Sequence, residues 1–381
     1  MLTRKGCLTR QDRLRALLAE QGIGAVVVSD PRDVYYLSGF LAPVEPPLPA
    51  MLYLETEGQT LLAAHTLDGE ATVDRRVDYE PHLLSTRNLD LTQRMAGAAA
   101  EWLAGRPQVP RLGWQAESLQ RYVGELVGAA VRPDDWIAID AGLADLQRRK
   151  EEDEIALLRD SISCTLAAYD ADQATIAPAV SEVAVLAAGS AAAIRRAGEH
   201  VMHDGDYQSG EQGGFARDRA LLAGELYVID AWTIYRGYWS DLCRTYAVSE
   251  PTPLQVEVYD LVASILDEMP ERLRPGLRGT ALWRWVDGRL REHPVLRDIG
   301  LIHHAGHGVG VRAHEEPDLN RDREGVLRPG DVVSVEPGAY APELRAGVRL
   351  ENTFLITETG CEVLSDYPLN LIPNRAAPPT V

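Results

Sequence analysis

Residues 303–317, HHAGHGVGVRAHEEP, carry four of the chain's nine histidines. His303, His307 and His314 follow one another at spacings of four and seven, and glycine flanks the middle one on both sides. A neutral imidazole can ligate a metal or donate a hydrogen bond. Gly306 and Gly308 let other backbone come close to His307 without Cβ clashes. Whether this is a metal site depends on where other ligands come from.

Four carboxylates answer. Asp230 and Asp241 lie on an expected hairpin whose turn contains YRGY. A turn centred between Tyr235 and Arg236 puts them directly opposite, with Cβ atoms about 5 Å apart. Gly237 could add a bulge and shift that register. Glu336 closes the apolar strand VVSVE, which Pro337 stops, and Glu351 occupies the strand GVRLENTFLIT. Arg349 stands two residues before Glu351, hence on the same strand face. Carboxylates so placed repel one another and would take up protons unless cations lie between them. Two divalent ions balance four carboxylates, and His307 is the candidate imidazole ligand. Such an oxygen-rich set suits Mn²⁺, Co²⁺, Fe²⁺ or Zn²⁺.

The chain around these groups divides into two segments, the first an α/β unit without a cluster of titratable groups. Residues 10–145 mix helical and strand patterns: QDRLRALLAEQG as a helix ended by Gly22, AVVVSD as a buried strand, DPRDVYYLSGF as a turn and an aromatic strand, and 42–50 as a proline-rich loop. LQRRKEE, 146–152, is charged with no apolar face and reads as a junction. The expected domains are therefore 1–146 and 147–381. In the second, Ile155, Leu158, Ile162, Leu166 and Tyr169 recur at helical spacing, and Ser181 opens another helix. The polar, glycine-rich 203–220 reads as a loop before the Asp230 hairpin. The order then repeats. Thr252, Pro253 and Gln255 make a capping box for a helix to about 273, and Thr280 caps the next. LLAGELYVID overlies LRPGDVVSVE at a constant offset that carries Asp230 onto Glu336. Two similar halves would bring related carboxylates to one shared cleft.

A formal charge of −19 over 381 residues offers no basic surface to a phosphate backbone, so no nucleic-acid partner is expected. The four cysteines are scattered and fit a reducing compartment. No apolar run approaches the length of a membrane span. The expectation is a cytoplasmic protein with no membrane partner.

With these residues in place, the chain resembles the metallopeptidases of the methionine aminopeptidase, aminopeptidase P and prolidase family, of pita-bread fold. GYWSDLCRT, GHGVGVRAHEEP and VSVEPG resemble its motifs, and DPRDVYYLSGF and His303 point to the aminopeptidase P and prolidase branch. The resemblance implies a creatinase/prolidase-like N-terminal α/β domain and an α+β catalytic domain with an internal pseudo-twofold. It implies metal ligation by Asp230, Asp241, His307, Glu336 and Glu351, with two ions per chain, Mn²⁺ first among the candidates. Glu336 would also carry the proton, His303 and His314 would donate to substrate or oxyanion, and Arg349 would contact substrate. His304 is taken as a bystander. The implied reaction is two-metal hydrolysis of an Xaa-Pro bond at the N-terminus of a small peptide, by a homodimer.

The chain departs from the pattern in places. A substrate-facing histidine usual in the branch falls on Gly213. Trp232 stands where glycine is usual, and is read as core; Cys243 replaces threonine and is read as a small buried filler. The alternative is a metal-dependent relative acting on a non-peptide C–N or C–S bond.

Overall fold

Thr3 starts the first helix, α1 (Arg4–Glu20), by accepting a hydrogen bond from the Gly6 N–H, and Leu14 and Leu18 on one face are fully buried. The computed structural model describes residues 1–41, 48–66 and 69–374, and the chain forms two compact units, Met1–Gln147 and Arg148–Val381. Residues 42–47 of the expected proline-rich loop lie outside the described residues.

In the first unit α1 is followed by β1 (Ala25–Val28), α2 (Pro31–Ser38), β2 (Met51–Glu55), β3 (Thr60–His65), β4 (Arg75–Tyr79) and a small hairpin, β5 (His82–Leu83) and β6 (Thr86–Arg87). Then come α3 (Leu91–Ala104), β7 (Arg111–Trp114), α4 (Arg121–Val131), β8 (Asp135–Ala138) and α5 (Asp140–Arg148). The mixed sheet runs β4-β3-β2-β1-β7-β8. Alternation along its strands feeds two cores. Val27, Tyr53 and Leu112 pack with Met95 and Val127 on one face, and Val26, Val28 and Leu52 with Leu14 and Val34 on the other. The expected aromatic strand over 30–40 is instead α2. Asp30 caps it, Pro31 takes the first turn and Gly39 ends it at φ 76°, and these end signals outweigh the β-preference of Tyr35 and Tyr36.

The second unit opens with α6 (Glu152–Thr175) and α7 (Glu182–Ala197), capped by Ser181. The segment 203–220 is not all loop: β9 (Met202–Ser209) pairs antiparallel with β10 (Leu226–Tyr235) along its whole length. Its polar, glycine-containing composition hides the strand, because neither face is continuously apolar. β10 then turns back through β11 (Tyr238–Trp239) and β12 (Leu242–Ala247). The turn is Arg236-Gly237, at φ 46° and 83°, so Tyr235 faces Tyr238. This moves the register from the expected one: Asp230 faces Cys243, and the same register sets Asp241 beside Trp232, diagonal to Asp230 on one face.

The second half follows with α8 (Pro253–Asp267), whose Thr252–Gln255 capping box is present, a short α9 (Met269–Arg272) and α10 (Gly279–Arg291). The helix expected to reach 273 ends at Asp267, and Pro270 falls in the first turn of the separate α9. Thr280 does not cap α10 but lies inside it, its hydroxyl donating to Glu324. β13 (Gly306–Gly308), β14 (Glu315–Leu319), β15 (Val332–Val335), the pair β16 (Gly338–Ala341) and β17 (Ala346–Arg349), then β18 (Asn352–Ile356) and β19 (Cys361–Val363) complete the unit. The main sheet runs β14-β13-β15-β18-β19. Val258, Val262, Leu282 and Val286 of α8 and α10 pack on Val333, Val335, Phe354 and Ile356. On the first half, Tyr169 of α6 donates to the carbonyls of Ile229 and Leu242, at 2.8 and 2.5 Å.

Backbone beside the site joins the halves. Glu351 N–H donates to Cys243 O at 3.0 Å, and Thr353 Oγ1 to Asp241 O at 3.0 Å. The fully buried Arg244 donates to Glu351 O, at 2.5 Å, and to Tyr367 O, at 2.7 Å. Within this unit, Arg148 and Lys150 are not exposed linker charges: both are buried, paired with Asp331 and Glu315.

Candidate metal centre

The carboxylates sit where strands stop or break. Asp230 is inside β10, Asp241 just before β12, Glu336 just after β15 and Glu351 just before β18. Val335 pairs with Asn352, so Glu336 and Glu351 follow as the next opposed pair. β13 lies on the other side of β15, His307 facing Ser334. A Cβ on Gly306 or Gly308 would strike the carbonyl of Ser334 or Glu316, so glycine is what lets β13 lie this close.

Ligand atoms of Asp241, His307 and Glu351 lie within 4.8 Å of one another, as do those of His303, His304 and Glu336. His307 joins the groups: its Nε2 is 3.6 Å from Asp241 Oδ2 and 3.4 Å from Glu336 Oε1. Its Nδ1 sits 2.9 Å from Gly308 O, which orients the ring and leaves Nε2 for the centre. Asp230 is placed differently: its Oδ2 is 2.6 Å from Arg349 Nη2. Arg349 ends β17 and Glu351 precedes β18, so the two are not neighbours on one strand face as expected; the chain changes sheets at Leu350.

The expected bystander His304 lies within the cluster. Its ring lies 5.3–5.6 Å from those of His303, His307 and His314, and its Nδ1 is 3.3 Å from Glu336 Oε1. His314 stacks on His307 at 3.7 Å. His303 Nε2 is 3.1 Å from the Tyr340 hydroxyl, which accepts from Arg349 Nη1 at 3.0 Å. Tyr340 escaped the sequence reading; its only signal is the two-residue period from Gly338 in GAYA. Asp206 escaped it because β9 did. Trp232 is half-buried rather than core, ring-to-ring with Trp239 at 4.7 Å. Cys243 is buried, 3.3 Å from Arg349 O. His203 belongs to the opposite face of β9, bonded to Thr233 and Tyr207.

The electrostatics ask for cations. Burial and then the charge of Asp230 push Asp241 well above the carboxylate range; burial and Asp241 do the same to Glu351. Asp230 is raised to about 6, by burial first, with Arg349 opposing. Burial would also raise Glu336, but the His307 hydrogen bond and the other imidazoles bring it down to about 2. Burial would lower His307, yet Glu336 and Asp241 push it up to about 9. His314 falls to about 4, by burial and then by His307. Glu351 Oε1 and His304 Nδ1 are buried without a hydrogen-bond partner. An orphaned carboxylate oxygen such as Glu351 Oε1, inside a carboxylate and imidazole cluster, is what a divalent ion satisfies, so the residues present fit a metal.

Comparison with known proteins agrees. The sequence model of metallopeptidase family M24 matches residues 156–358, and that of the creatinase/prolidase N-terminal domain residues 10–148. The chain belongs to metallopeptidase family M24 and is a peptidase of that family. It is 26% identical over 372 residues to the uncharacterized peptidase YqhT of Bacillus subtilis, covering 95% of this chain and 99% of that one. It is 37% identical over 163 residues to the Xaa-Pro dipeptidase of Pyrococcus furiosus, 42% of this chain and 45% of that protein. Among solved structures, the prolidase of Pyrococcus horikoshii OT3 aligns with a TM-score of 0.78 at 24% identity, over 96% of this chain and 100% of that one. The prolidase of Pyrococcus furiosus aligns at 0.73 and 26%, over 93% and 99%. The N-terminal α/β domain and the pita-bread catalytic fold are those expected. Among the described residues, no helix is long and apolar enough to cross a membrane.

Proposed function

We propose that this peptidase hydrolyses the Xaa-Pro bond at the N-terminus of di- or oligopeptides, with two divalent ions held by Asp230, Asp241, His307, Glu336 and Glu351. Mn²⁺ is the first candidate, then Co²⁺, Zn²⁺ and Fe²⁺. The observation that carries the metal reading is the convergence of Asp241, His307 and Glu351 beside Glu336, with Glu351 Oε1 buried and unpartnered. The substrate class rests on the similarity to Xaa-Pro dipeptidases and prolidases.

When bound, the ions supply a Lewis acid and acidify water. The protein's part is the proton and the orientation. Glu336, within 3.3–3.4 Å of the His304 and His307 rings, can take a proton on its carboxylate and pass it to the leaving nitrogen. His314, held near 4, is neutral there, so it offers an N–H to a developing oxyanion without bringing a charge. His303 is likewise lowered, by burial first, and its Nε2 is set by the Tyr340 hydroxyl.

The test is a panel of Xaa-Pro dipeptides and Xaa-Pro-Yaa tripeptides with metal-stripped and Mn²⁺-loaded protein. Turnover of Xaa-Pro bonds that chelator abolishes and Mn²⁺ restores is expected. No turnover of any panel member by protein that binds Mn²⁺ would overturn the substrate.

A further inference from the structure

β9 sets Asp206 directly across from Asp230. One guanidinium nitrogen, Arg349 Nη2, lies between the two carboxylates, 2.8 Å from Asp206 Oδ2 and 2.6 Å from Asp230 Oδ2. The other, Nη1, donates to Tyr340 Oη at 3.0 Å and to Gln212 O at 3.3 Å. The second oxygen of Asp206 accepts the Gly214 N–H at 2.8 Å. The return from β9 therefore folds over Asp206. It can do so only because Gly213 has no side chain: a Cβ there would land on Asp206 Oδ2. The missing side chain at 213 and the carboxylate at 206 are one arrangement.

We infer that Asp206 is a positioning residue of the metal centre, that it acts by holding Arg349, and that Gly213 is the residue that makes room for it. A guanidinium nitrogen shared between two carboxylates competes less strongly for either. With Asp206 neutral, the whole charge of Arg349 falls to Asp230 and competes with a cation for its oxygens. The centre also loses a nearby negative charge. Both effects weaken cation binding. It follows that a histidine placed at 213 in this chain would expel Asp206 rather than add a substrate contact. The inference rests on the metal reading of the site but not on the peptide substrate.

The experiment is calorimetric titration of the metal-stripped, full-length protein with Mn²⁺, in the absence of peptide. Asp206→Asn, which keeps the volume, is expected to raise the Kd for Mn²⁺ by about tenfold or more while leaving the metal-free melting curve unchanged. In an Arg349→Met background the same change should alter Kd clearly less, because the route through Arg349 is gone and only the lost charge remains. Gly213→Ala should weaken Mn²⁺ binding and lower the melting temperature, and Asp206→Ala added to it should recover the melting temperature. Should Gly213→Ala alone fail to fold, folding of the double variant supports the shared space. A wild-type Kd in Asp206→Asn, an equal effect of that change with and without Arg349, or a double variant no more stable than Gly213→Ala overturns the inference. Wild-type protein that binds Mn²⁺ yet cleaves no Xaa-Pro peptide would sink only the proposed substrate.

Discussion

The imidazoles of His307 and His314 lie face to face, with ring centroids 3.7 Å apart and planes 8° apart. One ring points its Nε2 at the carboxylates, and the other is held neutral at its back. Stacking and hydrogen-bond donation by His314 can therefore be separated. His314→Phe keeps a flat ring against His307 and removes the N–H. The expected outcome is Mn²⁺ affinity within about threefold of wild type and kcat lower by about 10²–10³, the cost of one oxyanion donor. Equal losses in affinity and kcat would assign His314 to ligand support instead. Titration and steady-state kinetics on one Xaa-Pro peptide decide it.

The ligand carboxylates are costly when no ion is bound, since burial and mutual repulsion raise Asp241 and Glu351 well above their ordinary range. Asp241→Asn or Glu351→Gln removes that repulsion. Each is expected to abolish Mn²⁺ binding and raise the melting temperature of the metal-free protein near pH 7.5. A gain of about 1 kcal/mol corresponds to roughly 2–4 °C in a unit of this size. A melting temperature that falls in both variants would show that the carboxylates hold the fold together by themselves.

Metal binding should depend on pH in a defined direction. His307 is raised to about 9, so the metal-free protein keeps its proton at pH 7. That proton's contribution to stability is fully present below about 6.5, the ordinary histidine value, and is lost as pH rises through about 9. A cation at Nε2 must displace it. Mn²⁺ affinity is therefore expected to rise with pH up to about 9, with at least about one proton released on binding at pH 7. Calorimetry in buffers of different ionisation enthalpy measures the release, and no release would place His307 outside the coordination shell.

Trp232 shares the face of β10 with Asp230, beside Asp241, and packs at a 50° tilt against a half-buried Trp239. An aromatic pair so placed can receive a flat substrate side chain, worth about 0.5–1.5 kcal/mol beyond burial. Trp232→Ala is expected to lower kcat/KM for Phe-Pro roughly tenfold more than for Gly-Pro, with Mn²⁺ affinity unchanged. A uniform change across an Xaa-Pro panel would reduce Trp232 to packing.

What the sequence could reveal depended on how each residue is held. His307 stands between two glycines, Glu336 before a proline and Glu351 beside an apolar strand, and the structure gathers them with Asp241. The hairpin register missed because the turn is Arg236-Gly237, both left-handed, so its centre lies one residue later than expected. β9 was invisible because its pairing to β10 is a backbone property with no apolar alternation to announce it. Asp206 and its grip on Arg349 went with it. The closeness of His304 to Glu336 is set by the fold of 303–307, which spacing alone does not specify.

The two halves of the catalytic unit are sewn together by main-chain atoms next to the carboxylates, as with Glu351 N–H on Cys243 O and Arg244 on Glu351 O. Ligand side chains also meet across the halves, Asp230 on Arg349 and Asp241 beside His307, but the main-chain bonds form without them. Main-chain atoms of these residues thus carry much of the architecture, while their side chains carry the chemistry. Such a scaffold can exchange or lose its ligands, and with them its reaction, while keeping its shape, which makes the centre of this molecule its most replaceable part.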